Sequence, residues 1–83
     1  MKSIDVVVVV SGVPRPATVT ENEKLHKLVK EVLRASGDSG REIGEFELRT
    51  EGGALLALDL TVHEAGISEG QTLFLNPRAG AGG

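Results

Sequence analysis

The sequence predicts an α+β roll, a mixed sheet packed on a single helix, and three patterns carry that prediction. Apolar residues alternate with their neighbours along residues 2–11, 45–50 and 72–76, the period of strands. Between the first two of these, Leu25, Leu28, Val29, Val32 and Leu33 recur at helical spacing. Turn residues separate the elements, and the resulting order is β-β-α-β-β-turn-β, two hairpins joined by a crossover helix and closed by a last strand.

In the first strand Ile4, Val6, Val8 and Val10 share one face, and Ser3, Asp5, Val7 and Val9 share the other. Asp5 favours water, so the first set is the expected core face. Gly12-Val13-Pro14 reads as the turn, with residues 15–20 returning and Ala17 and Val19 pointing inward. Asn22 is the expected helix cap, and Glu23 stands near the positive end of the helix dipole. The helix runs for about 13 residues until Gly37 stops it. Its outward face carries Lys24, Lys27, Lys30, Glu31 and Arg34, with Glu23/Lys27 and Lys27/Glu31 spaced for ion pairing.

After a polar loop over residues 38–44, Phe46 and Leu48 turn inward and Gly52-Gly53 makes a second hairpin. The chain returns through Leu56 and Leu58, with Asp59 outward. Thr61-Val62-His63-Glu64 has the spacing of a capping box, so a short helical turn is expected before Gly66. The last strand places Leu73 and Leu75 inward. Pairing it in parallel with the first strand, at the sheet's centre, gives the valine run over residues 6–10 a reason. On an edge such a run is an aggregation hazard.

With 83 residues the chain has length for one core. A net charge of −3, from nine basic and twelve acidic residues, argues against nucleic acid as a partner. No Cys is present, which removes thiolate catalysis and Cys-ligated metals. The apolar run over residues 6–10 is far below the roughly 20 residues of a membrane helix. It also has no basic leader, so the expectation is a cytoplasmic protein without membrane contact. His26 and His63 have no partner ligands in sequence, and the serines lack a placed base, so neither a metal site nor catalytic residues nor a cofactor are expected.

After Asn76 the composition changes to Pro77-Arg78-Ala79-Gly80-Ala81-Gly82-Gly83, which offers nothing to pack. The expected division is a domain over residues 1–76 and a flexible tail over residues 77–83, reaching roughly 23–25 Å when extended. Two final glycines without Cβ let a narrow channel close on both sides of the backbone.

The N-terminal hairpin, the helix over residues 22–36, the Thr61-Val62-His63-Glu64-Ala65-Gly66-Ile67 turn, the Gly70-Gln71-Thr72-Leu73 re-entry and the Gly82-Gly83 ending together resemble the ubiquitin-like β-grasp proteins, over essentially the whole chain. Glu47-Leu48-Arg49, the Gly-Gly hairpin turn and the Leu-rich return are similar to the bacterial ubiquitin-like modifiers that stand beside their own activating, conjugating and deconjugating enzymes. The resemblance implies a non-enzymatic modifier. An E1-like adenylating enzyme activates the Gly83 carboxylate, an E2-like conjugating enzyme passes it to target amines, and a deconjugating peptidase removes it. Gly83 reacts and Gly82 gives access, while Arg78 and Gly80 are the expected points of tail recognition. The tail departs from ubiquitin's, which has two arginines and two leucines before its glycines, so a dedicated enzyme is expected.

Strand alternation also puts Val7, Val9 and Phe74 on the sheet face away from the helix, with Glu47 and Arg49 alongside. This is an expected docking patch for a partner such as the adenylating enzyme; the plainer reading is scattered surface hydrophobes. Lys2, Lys24, Lys27 and Lys30 are the side-chain amines on which chains of the modifier would form. Two other functions share the fold: a sulfur carrier of the molybdopterin or thiamine type, with Gly83 as a thiocarboxylate, and a noncovalent interaction module. In each case the expected state is a monomer.

Overall fold

β1 (Ser3–Val10) and β2 (Val13–Thr20) form the first hairpin, paired in antiparallel register from Ser3 with Thr20 to Val10 with Val13. The turn is Ser11-Gly12, with φ of 47° and 89°, the left-handed pair that a two-residue hairpin requires. Val13 and Pro14, expected in the turn, therefore belong to the strand. Proline is tolerated there because β2 is an edge strand. The computed structural model describes residues 2–38 and 40–78.

α1 (Leu25–Ala35) buries Leu25, Leu28, Val29, Val32 and Leu33, the stripe its spacing defines. Its N-cap is Lys24 rather than Asn22, and no side chain caps it. The first N–H groups are satisfied from a distant loop instead: Leu25 donates to the Leu60 carbonyl and His26 to the Leu58 carbonyl, both at 2.9 Å. At the other end Gly37 takes a φ of 84°, Asp38 donates to Leu33 at 2.8 Å and Gly37 to Arg34 at 3.1 Å. That pair of bonds is a Schellman motif, the stop that Gly37 predicts.

A 3-10 turn (Ile43–Glu45) leads into β3 (Phe46–Thr50), which pairs with the two-residue β4 (Leu55–Leu56) across Gly52-Gly53. The Thr61/Glu64 capping box forms in both directions. The Thr61 N–H donates to Glu64 Oε1 at 2.9 Å, and the Glu64 N–H to Thr61 Oγ1 at 3.0 Å. It holds one turn, closed by the Ala65 N–H on the Thr61 carbonyl and ended by Gly66 at a φ of 72°.

β5 (Thr72–Pro77) completes a five-stranded sheet in the order β2-β1-β5-β3-β4. It lies parallel to β1 and antiparallel to β3, so the first and last strands do meet at the centre. The core lies between α1 and one sheet face, and Ile4, Val6, Val8, Val10, Phe46, Leu48, Leu73 and Leu75 line the sheet side of it. The fold is thus the ubiquitin-like roll that the element order predicts. β5 continues through Pro77, and the Arg78 N–H donates to the Glu45 carbonyl at 2.7 Å. The first two residues assigned from sequence to the tail are therefore tied to the body. No helix among the described residues is long and apolar enough to cross a membrane.

Candidate functional site

The sheet face opposite α1 carries every docking residue expected from the sequence, and strand register decides which of them touch. Val9 stands opposite Pro14 on β2 and Phe74 on β5. Phe74 stands opposite Arg49 on β3, and Arg49 opposite Leu55 on β4. One row therefore crosses all five strands: Pro14, Val9, Phe74, Arg49, Leu55. Beside it Val7 lies between Pro16 and Thr72, and Glu47 faces Asn76. Val7, Val9, Phe74, Glu47 and Arg49 are each half-buried, because neighbours on one pleated face cover one another. At the ends of the row Pro14 and Leu55 are exposed, Leu55 at 60%.

Arg49 is pinned. Its Nε and Nη2 donate to Glu47 Oε2 at 3.2 and 3.1 Å, and its Nη1 donates to the Gly53 carbonyl at 2.8 Å. The ion pair neutralises the middle of the face, leaving Val9, Phe74 and Leu55 as apolar contacts around a fixed polar pair. A groove of about 350 Å³ lies where β3, β4 and the chain's exit meet, with Glu47, Leu55 and Arg78 in its wall. Arg78, the last of the described residues, therefore shares a groove with the Leu55 end of the row. Gly80, Gly82 and Gly83 lie outside the described residues.

Leu55 was missed from sequence. Its signal is simple alternation, since Leu56 is read inward and its neighbour must point outward. A second groove of about 320 Å³ runs between β2 and α1, lined by Arg15, Ala17, Leu28, Glu31 and Val32 among others. The Arg15 Nε there is buried without a hydrogen-bond partner.

The helix face differs from its expectation. The ion pairs among the described residues are Arg41–Glu45, Arg49–Glu47 and His63–Glu21, so neither Glu23/Lys27 nor Lys27/Glu31 forms. Glu23 has one carboxylate oxygen buried without a partner. Burial, then the neighbouring Glu31 carboxyl, raises the Glu23 pKa above the usual glutamate value. Glu64 goes the other way, because the Thr61 N–H holds its carboxylate below that value. Among the described residues no three of His, Cys, Asp and Glu gather closely enough to hold a metal ion.

The roll, the sheet order and the helix across one face define a protein of ubiquitin-like fold, and solved structures agree. A designed protein based on ubiquitin superposes with a TM-score of 0.78 at 19% identity, covering 93% of this chain and 90% of that one. The ubiquitin of Caldiarchaeum subterraneum gives 0.75 at 19% identity, covering 93% and 95%. A chain of the toluene 4-monooxygenase HD complex with the inhibitor 4-bromobenzoate gives 0.77 at 16%, covering 93% and 100%.

By sequence, the chain belongs to the family described as a protein of unknown function, DUF2604, whose model matches residues 1–83. It is also similar to the uncharacterized protein y4jI of Sinorhizobium fredii (strain NBRC 101917 / NGR234), 30% identical over 80 residues that make up 96% of this chain. The matched region spans 62% of that relative's length.

Proposed function

We propose that this chain is a protein modifier. The carboxyl group of Gly83, free or exposed by cleavage after it, attacks the α-phosphate of ATP on an E1-like enzyme to form an acyl-adenylate with release of pyrophosphate, is passed to a partner cysteine with loss of AMP, and is joined to a target amine with release of the thiol. An E2-like enzyme and a deconjugating peptidase complete the set of partners. The observation that carries the reading is the course of β5. A ubiquitin-like sheet places this strand at its centre, and the strand leads past the Leu55 groove directly into Arg78-Ala79-Gly80-Ala81-Gly82-Gly83. An enzyme seated on Val9, Phe74 and Leu55 is then positioned to take up the tail, with Arg78 and Gly80 in its channel.

The test is mass spectrometry on everything recovered with an N-terminally tagged chain from cells that carry the partner enzymes. Trypsin cuts after Arg78, so conjugated lysines retain residues 79–83 as a branch, and Gly83→Ala abolishes the branch. A free chain in which one terminal oxygen is exchanged for sulfur makes the protein a sulfur carrier instead. Partners that bind equally well after deletion of Gly82 and Gly83 make it a noncovalent module.

A further inference from the structure

β2 is eight residues long and forms one edge of the sheet, where unpaired backbone groups can template an added strand. Which backbone groups it offers follows from the register. The two-residue turn makes Val10 and Val13 a hydrogen-bonded pair, and the pattern alternates from there. Val8 with Arg15, Val6 with Ala17 and Ile4 with Val19 also exchange bonds. The odd-numbered residues of β1 turn to the other side: Val7 donates to the Gln71 carbonyl at 3.0 Å, and Gly70 donates to the Asp5 carbonyl at 2.7 Å. Their partners on β2, Pro14 opposite Val9, Pro16 opposite Val7, Thr18 opposite Asp5 and Thr20 opposite Ser3, therefore aim their backbone groups away from the sheet. Two of those four positions are proline, which has no N–H. Along the first half of β2 the outer edge therefore offers carbonyls but no donor, and its N–H groups are confined to Thr18 and Thr20 at the far end.

We infer that β2 is a closed edge: Pro14 and Pro16 remove the donors that an added strand needs, so neither a second copy of this chain nor an extended peptide lying in the α1–β2 groove extends the sheet there. Any strand laid along β2 would bury two of its own carbonyls unpaired. Inward-facing β2 positions are spared, since Arg15 and Ala17 supply the bonds to β1. The prolines thus stand only where they cost the fold no hydrogen bond. At the opposite edge β4 has two residues, too short for a ladder.

The test restores the donors. A Pro14→Thr/Pro16→Thr double variant matches Thr18 and Thr20 in chemistry, and its folding is checked by circular dichroism. Sedimentation velocity over a concentration series is expected to show the variant associating at concentrations at least tenfold below the wild type. Hydrogen exchange at residues 14, 16 and 18 should slow only in the associated form. If the double variant does not fold, Pro16→Thr alone, in mid-strand, serves the same comparison. A folded variant that stays as monomeric as the wild type overturns the inference, as does a wild type that itself associates through slowed exchange at Thr18.

Discussion

Ser11 holds a φ of 47°, a left-handed conformation that costs an ordinary side chain roughly 1–2 kcal/mol. Asn adopts it more readily and makes Asn-Gly, the preferred pair for this turn. Ser11→Asn is therefore expected to raise stability by about 0.5–1 kcal/mol, read as a higher midpoint in urea. Two glutamates set opposing pH dependences. Glu64 has its pKa lowered, so its contribution is complete above the ordinary value near 4.5 and is lost as pH falls through the depressed one. Glu23 has its pKa raised, so the folded state loses stability as pH climbs from 4.5 through the elevated value. Together they place their joint optimum near the ordinary glutamate value. Denaturation across a pH series should show Glu23→Gln gaining on the wild type as pH rises. Glu64→Gln should fall behind above pH 4.5 and draw level in strong acid.

Among the elements, α1 depends on residues far from it in sequence. Its first two N–H groups are held by the carbonyls of Leu58 and Leu60, in the loop that the Thr61/Glu64 box fixes. Thr61→Ala should thus cost about 1 kcal/mol and speed hydrogen exchange at Leu25 and His26, while Asn22→Ala changes stability by less than about 0.5 kcal/mol. The same comparison shows what the sequence can and cannot tell. Asp5 among valines names the core face of β1 unaided, and the stripe from Leu25 to Leu33 names the buried side of α1, because both depend on local period alone. Asn22 misleads because a local capping rule yields to carbonyls brought in from residues 58–60. Pro14 misleads because proline's cost in a strand depends on where its nitrogen points, which is known only once β2 is seen at the edge. Leu55 is legible by alternation with Leu56, but its place at the end of the row follows only from the register of β4 on β3.

For the molecule as a whole, the row from Pro14 to Leu55 separates packing from recognition. Phe74 is half-buried, so Phe74→Ala should cost about 1–2 kcal/mol of stability, and Phe74→Leu less. Under the proposed function both folded variants retain the tail yet should form the Gly83 adenylate more slowly with the cognate enzyme, measured by ATP-pyrophosphate exchange. The candidate site was legible in part for the same reason. Alternation places Val7, Val9 and Phe74 on one face, but only register reveals that Arg49 is locked between Phe74 and Leu55 by Glu47 and the Gly53 carbonyl.

The position of β5 governs how the molecule comes into being. β1 and β2 make one hairpin, β3 and β4 another, and within the sheet nothing joins them except the strand synthesised last. A nascent chain halted before Thr72 holds two hairpins and a helix whose buried stripe has half a floor. Folding of this domain is therefore expected to wait on residues 72–77, and a chain ended before Thr72 should be read as unfolded by circular dichroism and cut quickly by protease.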